Sequence, residues 1–204
     1  MSRAFITKVK GFYRSYSTMS EKSAVIFLAP GSEEMELVIS ADVLRRAGVK
    51  VTIAGLTGLE PTKCSRDLMI VPDKAASDAI RDGPYDAVIL PGGLGGSKCF
   101  VASAEIGQLL KDQESSGRLV AAICAAPTAL KAHGIALGKS LTSYPSFKEE
   151  LSECYNYLED RVVVDGNLIT SRGPTTAFDF AMAISNYLVG KETTSKVAKG
   201  LLLE

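Results

Sequence analysis

Histidine occurs once in 204 residues, as His133, and that scarcity removes much chemistry at the outset. The four cysteines, Cys64, Cys99, Cys124 and Cys154, form no Cys-x-x-Cys pair. A zinc site of the usual kind would have to be assembled from scattered single residues, so no metal is expected. Nor does the cysteine spacing suggest a disulfide framework. Without the long apolar core of a secretory signal, free thiols in a reducing compartment are expected. No stretch approaches the roughly 18 apolar residues of a membrane span, so a soluble chain without membrane attachment is expected. Charge of one sign is also missing. The formal net charge is zero, and setting aside the first 20 residues leaves 19 basic against 23 acidic groups, net −4. Bulk charge therefore offers no basis for strong nucleic-acid binding.

Residues 1–20 contain no acid but carry Arg3, Lys8, Lys10 and Arg14, together with Ser2, Ser15, Ser17 and Ser20. Apolar Phe5, Ile6, Val9 and Phe12 complete the composition of a mitochondrial transit peptide. The other reading is a tail or an extension ahead of a second start at Met19. The expected organisation is a basic extension, 1–20, followed by one domain, 21–204, which suits both the length and the 46% hydrophobic content. The expected address is the cytoplasm, with mitochondrial targeting through residues 1–20 and a nuclear pool.

Ala24 to Ala29 is an apolar run ended by Pro30-Gly31, after which Leu37, Val38, Ala41 and Leu44 recur at helical spacing up to Gly48. Strands are then predicted over Val49–Ala54, Leu68–Val71, Asp86–Leu90 and Leu119–Ile123, with helices around Ile106–Gln113 and Ala125–His133. Apolar runs without polar alternation indicate strands buried on both faces. That pattern predicts a flavodoxin-like α/β fold, a mainly parallel sheet with helices on both faces. Asp165-Gly166 between two β-rich runs predicts a small β-hairpin addition. Ala177, Ala181, Ile184 and Leu188 mark a long amphipathic helix, and a last helix runs through Val197.

Ligands of open parallel sheets bind beyond the carboxyl ends of the strands. Three such ends are distinctive: Pro30-Gly31-Ser32 with Glu33, Glu34 and Glu36 behind it, Pro91-Gly92-Gly93, and Cys124. Cys124 falls at a strand-to-helix junction, the setting of a nucleophile elbow, where peptide dipoles favour thiolate over thiol. The plainer reading makes it a small buried hydrophobe. His133, about 13 Å further along the same helix, is too far to pair with it, which argues against Cys-His proteolysis. It suits a helix C-terminus instead.

A carboxyl remains for proton transfer. Glu33, Glu34 and Glu36 all suit the start of a helix for dipole reasons. Glu36, beside core-facing Leu37, is the one placed to lean toward the sheet end, where it would stay protonated next to a thiolate. Gly92-Gly93-Leu94-Gly95-Gly96 departs from the dinucleotide fingerprint, with Lys98 where the third glycine belongs, and no Walker lysine follows. Its glycines suit backbone N–H donors facing an oxyanion.

Taken together, these residues resemble the parkinsonism-associated deglycases of the ThiJ/PfpI superfamily, from about Ser23 to Leu203. The blocks carrying the resemblance include Ala29-Pro30-Gly31-Ser32-Glu33-Glu34-Met35-Glu36, Cys64-Ser65-Arg66-Asp67, Leu90-Pro91-Gly92-Gly93, Ala121-Ala122-Ile123-Cys124-Ala125-Ala126-Pro127-Thr128 and Thr170-Ser171-Arg172-Gly173-Pro174. The resemblance implies a cofactor-independent homodimer with Cys124 as nucleophile and oxidation-sensitive thiol. It implies Glu36 as the carboxyl partner, and N–H groups of Gly93 and Ala125 as oxyanion donors. It further implies a pocket including Gly92, Arg66, Tyr144, Arg172 and Pro174.

The implied activity is deglycase or glyoxalase chemistry on methylglyoxal and other small α-oxoaldehydes, and on the glycated amines of proteins and nucleotides. Oxidative-stress sensing through the same cysteine accompanies it. A non-enzymatic redox sensor or redox-regulated chaperone, and an inert binding module, are the competing readings. Tyr144 departs from the histidine that members often place near the thiol, and a phenol is a poor base at neutral pH. Ala125 occupies the place where the superfamily's proteases carry histidine.

Overall fold

In the computed structural model, residues 21–203 are described; the segment read as a transit peptide lies outside them. The strands are β1 (Ser23–Leu28), β2 (Lys50–Gly55), β3 (Thr62–Lys63), β4 (Met69–Ile70), β5 (Lys74–Ala75), β6 (Ala87–Leu90), β7 (Leu119–Ile123), β8 (Ser140–Leu141), β9 (Asn156–Tyr157), β10 (Val162–Asp165) and β11 (Leu168–Ser171). The helices are α1 (Glu34–Arg46), α2 (Ala76–Asp82), α3 (Leu94–Ala102), α4 (Ala104–Ser115), α5 (Pro127–His133), α6 (Lys148–Ser152), α7 (Ala177–Val189) and α8 (Lys191–Gly200).

Seven strands form the central sheet in the order β10-β11-β7-β6-β1-β2-β5, parallel except for β10. The expected flavodoxin-like arrangement of a mainly parallel sheet between helical layers is what the chain adopts. Period-two alternation explains the layering, because successive side chains of a strand leave opposite faces. Ala24, Ile26 and Leu28 of β1 pack with Leu37 and Leu44 of α1 and Phe180 and Ile184 of α7. Val25 and Phe27 pack on the other side with Phe100 of α3, Ile106 and Leu110 of α4 and Leu130 of α5.

After β1 the chain turns through α1 to β2 on one side, whereas β6 returns to the other flank of β1. Strand order therefore reverses between β1 and β6, the switch point at which α/β sheets open a crevice. The loops that follow β1, β6 and β7 line up there.

Four expectations are corrected in detail. Only Met69–Ile70 of the Leu68–Val71 run is a strand, and it pairs antiparallel with Thr62–Lys63 outside the main sheet. The hairpin turns on Gly166-Asn167, since Asp165 pairs directly with Leu168; β11 joins the main sheet and β10 alone is the antiparallel addition. No helix was expected between Gly93 and Ile106, yet Leu94-Gly95-Gly96 opens α3. Gly96 permits close packing there, where an added Cβ would lie 2.9 Å from Ser32 Cα. Finally, α5 starts at Pro127 and not at Ala125, so Cys124 to Ala126 form a turn ahead of the helix.

Candidate functional site

The residue after β7 is bent sharply by its backbone. Cys124 has φ 63°, a left-handed conformation uncommon for any residue but glycine. Two bonds hold it: its N–H donates to Ser171 O at 3.0 Å, and its carbonyl accepts from Tyr144 N–H at 2.8 Å. The strain turns the thiol back over the strand end, the geometry of a nucleophile elbow. Cys124 is half-buried, and the N–H groups of Gly93 and Ala125 are directed at its sulfur.

Glu36 arrives from the first turn of α1, where the Glu33 carboxylate accepts from its N–H at 2.8 Å and starts the helix. Its side chain is fully buried. Glu36 Oε2 accepts from Gly92 N–H at 2.7 Å, while Oε1 has no hydrogen-bond partner among the described residues. Gly92 lies between acid and thiol. A Cβ there would sit 2.5 Å from Cys124 Cβ and 2.7 Å from Glu36 Oε2, so only glycine allows the two side chains to converge.

The electrostatics correct one expectation. Peptide N–H groups do favour the Cys124 thiolate, yet burial and then the Glu36 charge outweigh them and push the thiol up to about 12. Burial likewise pushes Glu36 up to about 8, against the pull of the Gly92 N–H, with the Glu33 charge adding to the rise. The thiol is thus not ionised at neutral pH by dipoles alone. Acid and thiol cannot readily both be charged, and Glu36 is the one that loses its proton first. With Oε2 engaged by an N–H, the acid's proton belongs on Oε1.

Glu34, two residues away, behaves oppositely. Burial opposes its charge, but its own N–H, the Ser65 hydroxyl and the Arg66 N–H overcome that and hold the carboxyl below its usual range. Ser65 Oγ and Arg66 N–H each donate to it at 2.8 Å, clasping the loop after β3 onto α1. Sequence groups Glu34 with Glu33 and Glu36 as acids at a helix start, whereas its bonds to Ser65 and Arg66 leave no sequence signal across 31 positions.

The remaining candidates surround this centre at different depths. Tyr144 is joined to Cys124 through its backbone and half-exposes its ring, which lies against Gly173. Arg172 N–H donates to Thr176 Oγ1 and its guanidinium to Glu159 O at 2.6 Å, while Pro174 opens the following helical turn. Arg66 is exposed, and its guanidinium donates to Ser65 O. The structure therefore brings Cys124, Glu36, Gly92, Gly93 and Ala125 together, with Tyr144, Arg172 and Pro174 on one rim. Arg66 lines a neighbouring cleft with Pro30, Gly31, Cys64 and Leu94. His133 Nε2 lies 2.9 Å from Phe100 O, against α3 and away from the thiol.

A doubly wound sheet with a strained cysteine elbow and a buried acid at its switch point defines a class of α/β protein built around one thiol. Residues 22–187 match the DJ-1/PfpI family model, and the chain belongs to the DJ-1/PfpI family. The crystal structure of Drosophila melanogaster DJ-1beta is similar with a TM-score of 0.87 and 60% identity, covering 89% of this chain and 98% of that one. A Parkinson disease protein 7 homolog from Danio rerio is 51% identical over 91% of this chain and 100% of its own length. A glutathione-independent glyoxalase, DJR-1.2 of Caenorhabditis elegans, is 44% identical over 90% of this chain and 98% of its own.

Proposed function

We propose that this protein is a cofactor-independent glyoxalase and deglycase that uses Cys124 as nucleophile and Glu36 as proton carrier. The observation that carries the reading is the convergence of a strained thiol, a buried carboxyl and two N–H donors on Gly92. The glyoxalase activity named for the nematode relative, from a chain similar over nearly its whole length, supports it. The Cys124 sulfur adds to the aldehyde carbon of methylglyoxal, and the thiol proton passes to the carbonyl oxygen. While that oxygen carries charge, the N–H groups of Gly93 and Ala125 bind it. Glu36 then takes the hydrogen from the former aldehyde carbon and returns it to the neighbouring carbon, while the hydroxyl proton moves to the oxygen of that neighbouring carbon, giving a thioester. Water cleaves the thioester, releasing lactate and restoring the thiol, with no external oxidant or reductant. On a hemiaminal, the early adduct of an amine, the sulfur instead displaces the amine at that carbon, the C–N bond breaks as the C–S bond forms, and the amine leaves with the thiol proton. The test is methylglyoxal clearance by Cys124→Ser and Glu36→Gln proteins: both fall to background, whereas wild-type rates in either would sink the reading.

A second role at the same thiol is favoured by the unpartnered Glu36 Oε1. Peroxide oxidation of Cys124 to a sulfinate would supply an acceptor for the Oε1 proton and for both N–H donors, making this site a redox sensor. Peptide mass spectrometry after mild peroxide should find Cys124 oxidised before Cys64, Cys99 and Cys154. We further infer a homodimer through the exposed apolar side chains Met35 and Val38 of α1 and Leu68, Met69 and Val71 nearby.

A further inference from the structure

A small cavity of about 140 Å³ opens beside the elbow, between α3, α5 and the segment that precedes α6. Ala125, whose N–H faces the thiol, forms part of its wall, and Leu94, which directly follows Gly93, forms another. A carbonyl held between those two N–H donors therefore has this cavity at its side. Apolar Val101 and Phe147 line it further out.

Two polar features break the apolar wall. Ser97 lines this cavity and is 3% exposed, and its Oγ has no hydrogen-bond partner among the described residues. Thr128 also lines it, but its Oγ1 already donates to Ala125 O at 2.7 Å. A buried hydroxyl left unpaired is costly, so Ser97 is a donor awaiting an acceptor. At the rim stands Lys98, which joins none of the ion pairs found among the described residues. Among the described residues no acidic one lines the cavity.

We propose that this cavity is a subsite for the far end of the substrate, and that it selects α-oxoaldehydes carrying a carboxylate on a short aliphatic stem. The stem packs on Leu94, Val101 and Phe147, Ser97 Oγ donates to one carboxylate oxygen, and Lys98 supplies the counter-charge. Size agrees: at about 30 Å³ per water-sized unit, the cavity accepts roughly five heavy atoms, whereas the methyl group of methylglyoxal leaves most of it empty. This inference rests on the glyoxalase reading for its kinetic test and on binding alone for its independent one.

The experiment compares kcat/KM for 4,5-dioxopentanoate, its neutral counterpart 2-oxohexanal, and methylglyoxal in wild type, Ser97→Ala and Lys98→Gln. Wild type should favour the anionic compound over 2-oxohexanal by about tenfold or more. Ser97→Ala should lose about tenfold, and Lys98→Gln about two- to fivefold, on 4,5-dioxopentanoate only. Equal rates for the charged and neutral compounds, or equal losses on all three, overturn the subsite. If wild type turns over none of them, the glyoxalase reading fails by itself. Calorimetric binding of the unreactive keto acid 4-oxopentanoate then decides the subsite: binding weakened by both substitutions supports it, and absent or unaltered binding overturns it.

Discussion

Glu36 is a carboxyl whose proton is held far into the neutral range, and this has consequences for both stability and rate. Below pH 4.5 the acid is protonated in folded and unfolded chains alike and contributes nothing to pH dependence. Between 4.5 and about 8 only the folded chain keeps the proton, so each pH unit lowers native stability by about 1.4 kcal/mol, with a ceiling near 5 kcal/mol. Glu36→Gln keeps the shape and loses the titration. Its urea midpoint should therefore gain on wild type steadily from pH 5 to pH 8, and an unchanging difference would contradict the buried-acid assignment.

The same acid sets the rate profile. Methylglyoxal turnover should rise through an inflexion near pH 8, as Glu36 gives up its proton and becomes able to accept one. In Glu36→Gln the thiol escapes the neighbouring charge that helps push it up to about 12, so iodoacetamide should alkylate Cys124 faster at pH 9–10 than in wild type. A more acidic thiol in an inactive protein would separate nucleophilicity from proton transfer. Gly92→Ala offers the geometric counterpart. A methyl group 2.5 Å from Cys124 Cβ must displace thiol or acid, costing about 1–3 kcal/mol in unfolding experiments and at least tenfold in kcat/KM.

At the scale of elements, the packing of α3 against the loop after β1 depends on absent side chains. Gly96→Ala would place a Cβ 2.5 Å from Ser32 Oγ and 2.9 Å from its Cα, so α3 must shift and carry Gly93 with it. A loss of about 1–3 kcal/mol in stability, together with a raised KM, is expected from denaturation and steady-state measurements.

This helix also marks where sequence reading ended. Strands β1, β2 and β6 were legible because each is an apolar run closed by glycine or proline, and Cys124 because the run of β7 ends on it, whereas β5, only Lys74–Ala75, carries no such signal. The start of α3 was hidden because Gly95 and Gly96 have poor helix propensity, and tertiary contact with Ser32 is what favours them there. The thiol's acidity departs from its local sequence context for a similar reason. Peptide dipoles follow from local order along the chain, but the burial that outweighs them comes from α1 and α7 packing over the elbow. The fit of Glu36 against Gly92 joins positions 56 apart, and only the suggestion that Glu36 leans toward the sheet end was open to sequence.

For the whole molecule, the exposed apolar face of α1 and the Leu68–Val71 segment sets the expected assembly. A stable pair of subunits buries on the order of 1,600 Å², and charges placed at its centre should prevent it. Val38→Glu and Met69→Glu proteins should sediment as monomers at concentrations where wild type sediments as a dimer. We propose also that residues 21–204 fold as one unit without residues 1–20. A chain lacking those residues should keep its thermal midpoint and its methylglyoxal turnover.

The reacting centre is assembled mainly from main chain: Gly92 contributes space and an N–H, and Gly93 and Ala125 contribute N–H groups. Only a sulfur and one carboxyl are added by side chains. The neighbours proposed to meet the rest of a substrate, Leu94, Lys98, Tyr144 and Phe147, occupy positions whose exchange leaves that main chain in place. Reaction type and substrate preference are thereby written in separable parts of the molecule, so that new preferences can be engineered at the periphery without rebuilding the catalytic apparatus.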